Sequence, residues 1–534
     1  MIMTKITYKF ILFLCLTLAT TSLFAASEAE YGKVSKNWTL HNDGSQEFRH
    51  RFELTLFTHT AMNNTYGESF IVYNPNFQTL KINGSYTKQK DGTIVKTPSN
   101  AFVEVLPAFA ANAPAYNQLK EMVVVHTGLE LGATIYLDYS IITKPGYFPA
   151  LDIDEILQES SPIKMCDVTI SVPENHPLNW QLLGDKTKAS QVSRNGIKTI
   201  SYQLKNLPAT SREAFLPQNK DENIRLIASS YTSNKEALSI INKRFNESLN
   251  YESNTFATYI TETAKNATEK LQRLLNHVVN NLDYSPIPFE YTGFMIRDVD
   301  EALRSAYGTL AEKSQLLSAM LNAIDIPAQV IAIYPGSIDI NACGLKAIKD
   351  FAVKVTVDGK THYLSANSLT PSSIIRRGRL DQAFTLDGTA LSITAEPLII
   401  NENRSIDLSK EPAQDTFMIY TLPTLSNGVD SWDMSALNSK RSSLFEIPSL
   451  IEETIRYVIT PPANMKLQNT SEKQNLSNTC GKATQTIEKT DHQIVVTRYI
   501  SINKQQFTPA EYKELRELIQ MWSDPNKRIL IWKE

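Results

Sequence analysis

Tyr307-Gly308-Thr309-Leu310-Ala311-Glu312-Lys313-Ser314-Gln315-Leu316-Leu317-Ser318-Ala319-Met320-Leu321-Asn322-Ala323-Ile324-Asp325-Ile326-Pro327-Ala328-Gln329-Val330 is the stretch on which the fold of this chain turns. Thr309 followed three residues later by Glu312 is a capping box, in which each side chain satisfies an amide donor left open by the first turn of a helix. Gly308 supplies a tight turn ahead of it. Leu310, Leu317, Met320, Leu321 and Ile324 recur at helical spacing, which predicts a buried or half-buried helix. The first turn of such a helix is where an enzyme places a nucleophile, because partial positive charge there lowers a thiol pKa by roughly one to several units. Leu310 stands in that turn, and an aliphatic side chain cannot attack an acyl carbon.

The segment resembles the core motif of the transglutaminase-like (papain-like cysteine) superfamily, Tyr-Gly-x-Cys-x-Asp-Lys ahead of a Leu-Leu-x-x-x-Leu-x-x-x-Gly-Ile-Pro-Ala helix. Tyr307, Gly308, Lys313, Leu316, Leu317, Leu321, Ile326, Pro327 and Ala328 match it. The family's Cys corresponds to Leu310 and its Asp to Glu312. In that family a His opens the following strand and an Asp lies on the strand after it. The matching hairpin here is Asp350-Phe351-Ala352-Val353-Lys354-Val355-Thr356-Val357, an Asp358-Gly359 turn, and Lys360-Thr361-His362-Tyr363-Leu364-Ser365. It puts Asp350 where the His belongs and Ser365 where the Asp belongs. The resemblance therefore implies the fold with a degenerate triad at Leu310, Asp350 and Ser365.

Asp-Gly favours a two-residue hairpin loop, pairing 357 with 360, 355 with 362 and 352 with 365. Alternation then sets 350, 352, 354, 363 and 365 on one face and 353, 355, 362 and 364 on the other. His362 is expected to point away from the cleft as a structural histidine. Cys343 lacks a helix N-terminus and an opposing His. Asp350 and Lys354 share a face and offer one charge of each sign, so Asp350, Lys354, Tyr363, Tyr307 and Tyr284 are the candidate ligand-binding residues.

The chain has 534 residues, 42% hydrophobic and 20% charged, with a formal net charge of -3. That length accommodates about three to four domains, and the charge gives no reason to expect nucleic acid. Lys5 and Lys9, the apolar run Phe10 to Ala19, and cleavage near Ala25 or Ala26 read as a secretory signal peptide. No later run is long enough to predict a transmembrane segment. Cys166, Cys343 and Cys480 remain, enough for one bridge at most. No cofactor is expected, since neither metal-ligand spacing nor a glycine-rich phosphate loop is present.

From Tyr31 to Ile142 the pattern is β: Arg51 to Phe57 and Thr134 to Ile141 alternate, an Asp91-Gly92 turn intervenes, and 166–206 continues it. This region resembles the β-domain of unknown function that precedes a transglutaminase-like core in many secreted bacterial proteins, notably from Bacteroidetes. Thr268 to Val279 is helical. Strands return at Met418 to Leu422 and Gln493 to Ile502, with a polar stretch, 426–443, reading as a mobile loop. Thr508-Pro509-Ala510-Glu511 is a second capping box, Phe507 and Tyr512 form a hydrophobic staple, a helix over 509–522 buries Tyr512, Leu515, Leu518, Ile519 and Trp522, and Arg528 to Trp532 is a last strand. The end of the chain is similar to the C-terminal β-domain of the same three-part family.

The fold class expected is therefore α+β and multidomain: a signal peptide at 1–26, an N-terminal antiparallel β-sandwich at 27–235, a transglutaminase-like domain at 236–385 and a C-terminal β-domain with one terminal helix at 386–534. What the resemblance implies is a periplasmic or secreted pseudoenzyme whose cleft binds an extended peptide, a glycan or a cell-wall polymer. Two alternatives stand beside it: a scaffolding subunit with an envelope protein partner, and an active cysteine-type acyl transferase or peptidase using other residues.

Overall fold

The computed structural model describes residues 27–218, 220, 222–246, 248–369, 381–410, 416–434, 437–469, 473–490 and 492–534. The expected signal peptide at 1–26 lies outside them. In Gln46–Leu56, Phe52, Leu54 and Leu56 turn inward between polar neighbours, and in Thr134–Thr143 Ile135 and Leu137 do the same, as a half-buried strand requires. Both strands lie in an eight-stranded sheet whose strands are antiparallel except where Ala29–Leu40 runs parallel to Ile163–Pro173. Two three-stranded sheets pack on it, one built on Lys120–Val125 and one on Arg225–Ser229. Ile71, Val124, Ile153 and Leu226 of these small sheets share one core with Leu54, Leu137, Val168 and Ile200 of the large one.

The central part sets helices against a five-stranded sheet with Ala328–Pro335 in its middle. Thr309 caps the helix Leu310–Ala323, and both halves of the expected capping box form. Leu316, Leu317, Met320 and Leu321 pack on Val353, Val355, Val357 and Leu364. The hairpin has the expected register of Val357 with Lys360 and Val355 with His362. Asp358 and Gly359 take φ of 50° and 74°, the signs a two-residue hairpin turn needs. The ladder closes at Val353 with Leu364, short of the expected 352–365 pair.

Alternation predicts the two faces of this hairpin correctly, but the capped helix lies on the one carrying Val353, Val355 and Leu364 rather than on that of Lys354 and Tyr363. The reason is apolar area: the valine face has more of it to bury. Tyr363 instead packs with Ile331, Ile333, Ala352 and Ala383 on the opposite side of the sheet.

In the C-terminal part a five-stranded sheet, Leu398–Asp407 parallel to Ile451–Thr460 at one edge, is covered by the helix Tyr512–Ser523. That helix buries the five residues its spacing predicts. The described residues of the stretch 426–443, expected as a mobile loop, are irregular apart from the short 3-10 turn Val429–Trp432; within it Val429 and Met434 are core residues and Glu453 accepts the Val429 amide at 2.9 Å. Residues 435 and 436 lie outside the described ones. Among the described residues no helix is long and apolar enough to cross a membrane.

Candidate functional site

The head of the capped helix is held by residues from three directions. Thr309 N donates to Glu312 Oε2 at 2.8 Å, and Glu312 N to Thr309 Oγ1 at 3.4 Å. The same carboxylate takes Arg297 through Nε at 3.0 Å, Nη2 at 3.1 Å and the backbone amide at 3.1 Å. Tyr116, from the N-terminal part, donates its hydroxyl to Glu312 Oε1 at 2.5 Å. Burial pushes the Glu312 carboxyl up, but the Arg297 guanidinium and the Tyr116 hydroxyl outweigh it and hold the group below its usual range. Glu312 therefore stays an anion, with its lone pairs committed to structure.

Gly308 turns out to be a spacer rather than a turn residue. It lies in extended pairing with Tyr284, and a Cβ there would stand 3.2 Å from the Glu312 Cβ. Lys313 is buried and donates to the Leu282 carbonyl at 2.8 Å; burial pushes its ammonium down to about 8, and Asp283 partly opposes this.

Leu310 itself is half-buried, packing on the two clusters that meet at the helix head. It lines a cavity of about 490 Å3 together with Tyr284 and Asp350. These three candidate residues are brought together. Burial and the Asp350 carboxylate raise the Tyr284 phenol. Asp350 reaches the cavity from the first position of the strand Asp350–Val357, where it also accepts the Phe351 amide at 2.8 Å.

The other candidates lie elsewhere. Ser365 does not line the cavity and its hydroxyl accepts the Asn367 amide at 3.2 Å. Lys354 pairs with Tyr363 across the hairpin, and neither lines the cavity. Tyr307 is a docking residue: its hydroxyl accepts the Ala115 amide at 2.8 Å and its ring lies 4.4 Å from the Arg297 guanidinium carbon. His362 is exposed and outside the cavity.

Sequence reasoning misses the far wall of the cleft, because it comes from the N-terminal part. Asp154 and Arg225, a buried pair at 2.5 Å, line the cavity with Lys220. Glu290, Lys346 and Lys349 complete its charged lining. The loop that carries Lys346 is anchored by Asp152, whose Oδ2 accepts the amides of Leu345 at 2.6 Å and Lys346 at 3.0 Å. No motif announces these contacts; they exist only once the two parts dock.

All three described cysteines are free and buried. Burial pushes Cys166 up to about 12 and raises Cys480, and burial with the nearby Asp152 carboxylate raises Cys343. Cys343 Sγ donates to the Asp339 carbonyl at 3.2 Å, so it is held as a thiol. Among the described residues no group of three or more His, Cys, Asp or Glu could hold a metal ion.

A capped helix on a sheet, opening on a cleft and standing between two β-rich parts, defines a transglutaminase-like protein. Residues 254–360 match the Transglutaminase-like superfamily, residues 42–211 the Domain of Unknown Function DUF3857, and residues 417–532 the Domain of Unknown Function DUF3858. The crystal structure of a "putative protease" from Parabacteroides distasonis is 59% identical, covers 95% of this chain and 99% of its own, and has a TM-score of 0.89. The chain belongs to the family of that protein, with a transglutaminase-like core between DUF3857 and DUF3858. No curated protein matches it. A "putative cysteine protease" from Cytophaga hutchinsonii is 14% identical over 46% of this chain and 86% of its own, with a TM-score of 0.19. A mutant M1 zinc metallopeptidase from Deinococcus radiodurans is 13% identical over 38% of this chain and 42% of its own, with a TM-score of 0.20. Neither of these two is close enough to carry an argument.

Proposed function

We propose that this chain is a secreted, periplasmic pseudoenzyme that holds an extended peptide in its cleft and does not cleave it. The observation that carries this is Leu310, which lines the cavity from the helix turn where a nucleophile would be placed. The cavity volume, about 490 Å3, is within the range of ligand sites, roughly 300 to 1,000 Å3. Its lining sets Lys220, Arg225, Lys346 and Lys349 beside Asp154, Glu290 and Asp350. Arg225 and Asp154 pair with each other and Lys349 pairs with Asp381 at 2.8 Å, and a lining with charges of both signs suits a ligand that carries both, as a peptide or the peptide part of a cell-wall polymer does. The Parabacteroides protein's name points to peptides as well. Hydrolysis by a cysteine mechanism, however, needs a thiolate at the helix head, and here that position is aliphatic. The same reading divides the chain at 27–235, 236–385 and 386–534 after a signal peptide at 1–26.

Fluorescence anisotropy with a labelled peptide of alternating Lys, Glu and Leu tests it. Saturable binding that unlabelled peptide competes away, that a neutral cello-oligosaccharide does not, and that Leu310→Trp abolishes is the expected result. Absence of saturable binding by folded protein contradicts it.

One observation favours a second reading, a scaffolding subunit of an envelope complex. Phe417 and Ile419 are 45% and 67% exposed and lie two residues apart on the strand Phe417–Thr421, on one of its faces, and exposed apolar side chains mark protein contacts when they cluster. A stoichiometric partner in pull-down that survives Asp350→Arg and is lost in Ile419→Lys would support that reading instead.

A further inference from the structure

A second cavity, of about 360 Å3, lies between the large N-terminal sheet and the central part, and shares Glu290 and Lys346 with the cleft. Its walls are rings: Trp38, Phe48 and Tyr139 from the large sheet, Phe70 from a small one, and Phe148 and Phe294 from across. Trp38 and Phe48 stand 5.1 Å apart between centroids, and Phe148 and Phe294 5.9 Å. Such walls take up an apolar body, and ring faces attract a cation.

The charged lining is unequal. Glu47, Asp152, Glu155 and Glu290 face only Lys36 and Lys346. Lys36 is already committed, at 2.7 Å to Glu155 and 3.1 Å to Glu159. His50 adds no positive charge, because burial pushes it down to about 3. Two buried polar atoms of lining residues, Asp152 Oδ1 and His50 Nε2, have no hydrogen-bond partner. Burial raises the Asp152 carboxyl to about 7, opposed by the Lys346 and Leu345 amides, and the neutral His50 ring meets the Tyr139 hydroxyl through Nδ1 at 3.3 Å; a buried polar atom left without a partner is costly.

We propose that this cavity is a binding site for a small organic ammonium ion with an apolar, ring-bearing body. The ammonium supplies donors and positive charge at the carboxylate end, and the body fills the space between the rings. Glu290 and Lys346 face both cavities, whereas the six rings and Asp152 belong to this one alone.

Isothermal titration of the full chain with phenethylamine, ethylamine and 3-phenylpropionate tests it. Phenethylamine binds saturably, ethylamine at least about tenfold more weakly for want of the ring, and 3-phenylpropionate not at all, tenfold corresponding to about 1.4 kcal/mol. Ala150→Trp fills this cavity and Glu290→Gln removes one carboxylate; each weakens phenethylamine at least about tenfold. Leu310→Trp, which fills the cleft, leaves phenethylamine binding unchanged and so separates the two sites. Absence of saturable heat with phenethylamine, equal binding of 3-phenylpropionate, or affinity unaltered in both Ala150→Trp and Glu290→Gln overturns the proposal.

Discussion

At the scale of a residue, the chemistry of this protein turns on Leu310. The helix head keeps a capped first turn with a cavity in front of it, and a helix N-terminus lowers thiol pKa. In the chain from residue 27 onward, Leu310→Cys should therefore give a thiol that alkylates with iodoacetamide with an apparent pKa below about 8.5, while the wild type stays unreactive because Cys166, Cys343 and Cys480 are buried. A pKa at or above that of a free thiol would mean that this helix head lacks the electrostatics that activate a sulfur. Leu310, Glu312 and Asp350 are legible in the sequence because a motif fixes their places. Ser365 is not, since the hairpin ladder ends one residue before it.

At the scale of an element, the capping box, the hairpin turn and the terminal helix are readable from local rules, because each depends on residues within a few positions of one another. Which hairpin face meets the capped helix depends on long-range packing, and alternation alone assigns faces without saying which is covered. The loop before the hairpin is fixed in the same long-range way. A Cβ on Gly344 would stand 2.3 Å from Asp152 Oδ2, so glycine is what lets the carboxylate reach the Leu345 and Lys346 amides. Gly344→Ala should loosen this clamp at a cost of about 1 to 3 kcal/mol, read as a lower unfolding midpoint and faster hydrogen exchange at Leu345 and Lys346. Unchanged exchange there would show that Asp152 does not hold the loop.

At the scale of the whole molecule, the N-terminal and central parts are joined through buried polar contacts that composition cannot announce. The Glu312 carboxylate binds the helix cap, Arg297 and Tyr116 at once. Removing one partner of a buried pair strands the other, so Glu312→Gln should cost about 3 kcal/mol in unfolding free energy. The pH sign follows from the lowered carboxyl: its stabilisation is complete above the ordinary glutamate pKa of about 4.3 and is lost as pH falls through the lower folded value. Urea unfolding at a series of pH values should show a drop below about pH 4.3 in wild type that is shallower in Glu312→Gln. Equal slopes would move the acid sensitivity to another group.

A sheet order or a docking loop such as 108–119 is likewise set by contacts far apart in sequence. This is why the three-part architecture was readable from pattern while the far wall of the cleft, Asp154 and Arg225, was not.

The most direct test of a cleft that holds but does not cut is mass spectrometry of the purified chain incubated with the alternating Lys, Glu and Leu peptide at concentrations that saturate binding. Intact peptide and an unmodified protein mass are the result expected here. Peptide fragments or an acyl-protein adduct that disappear in Cys343→Ala would contradict it.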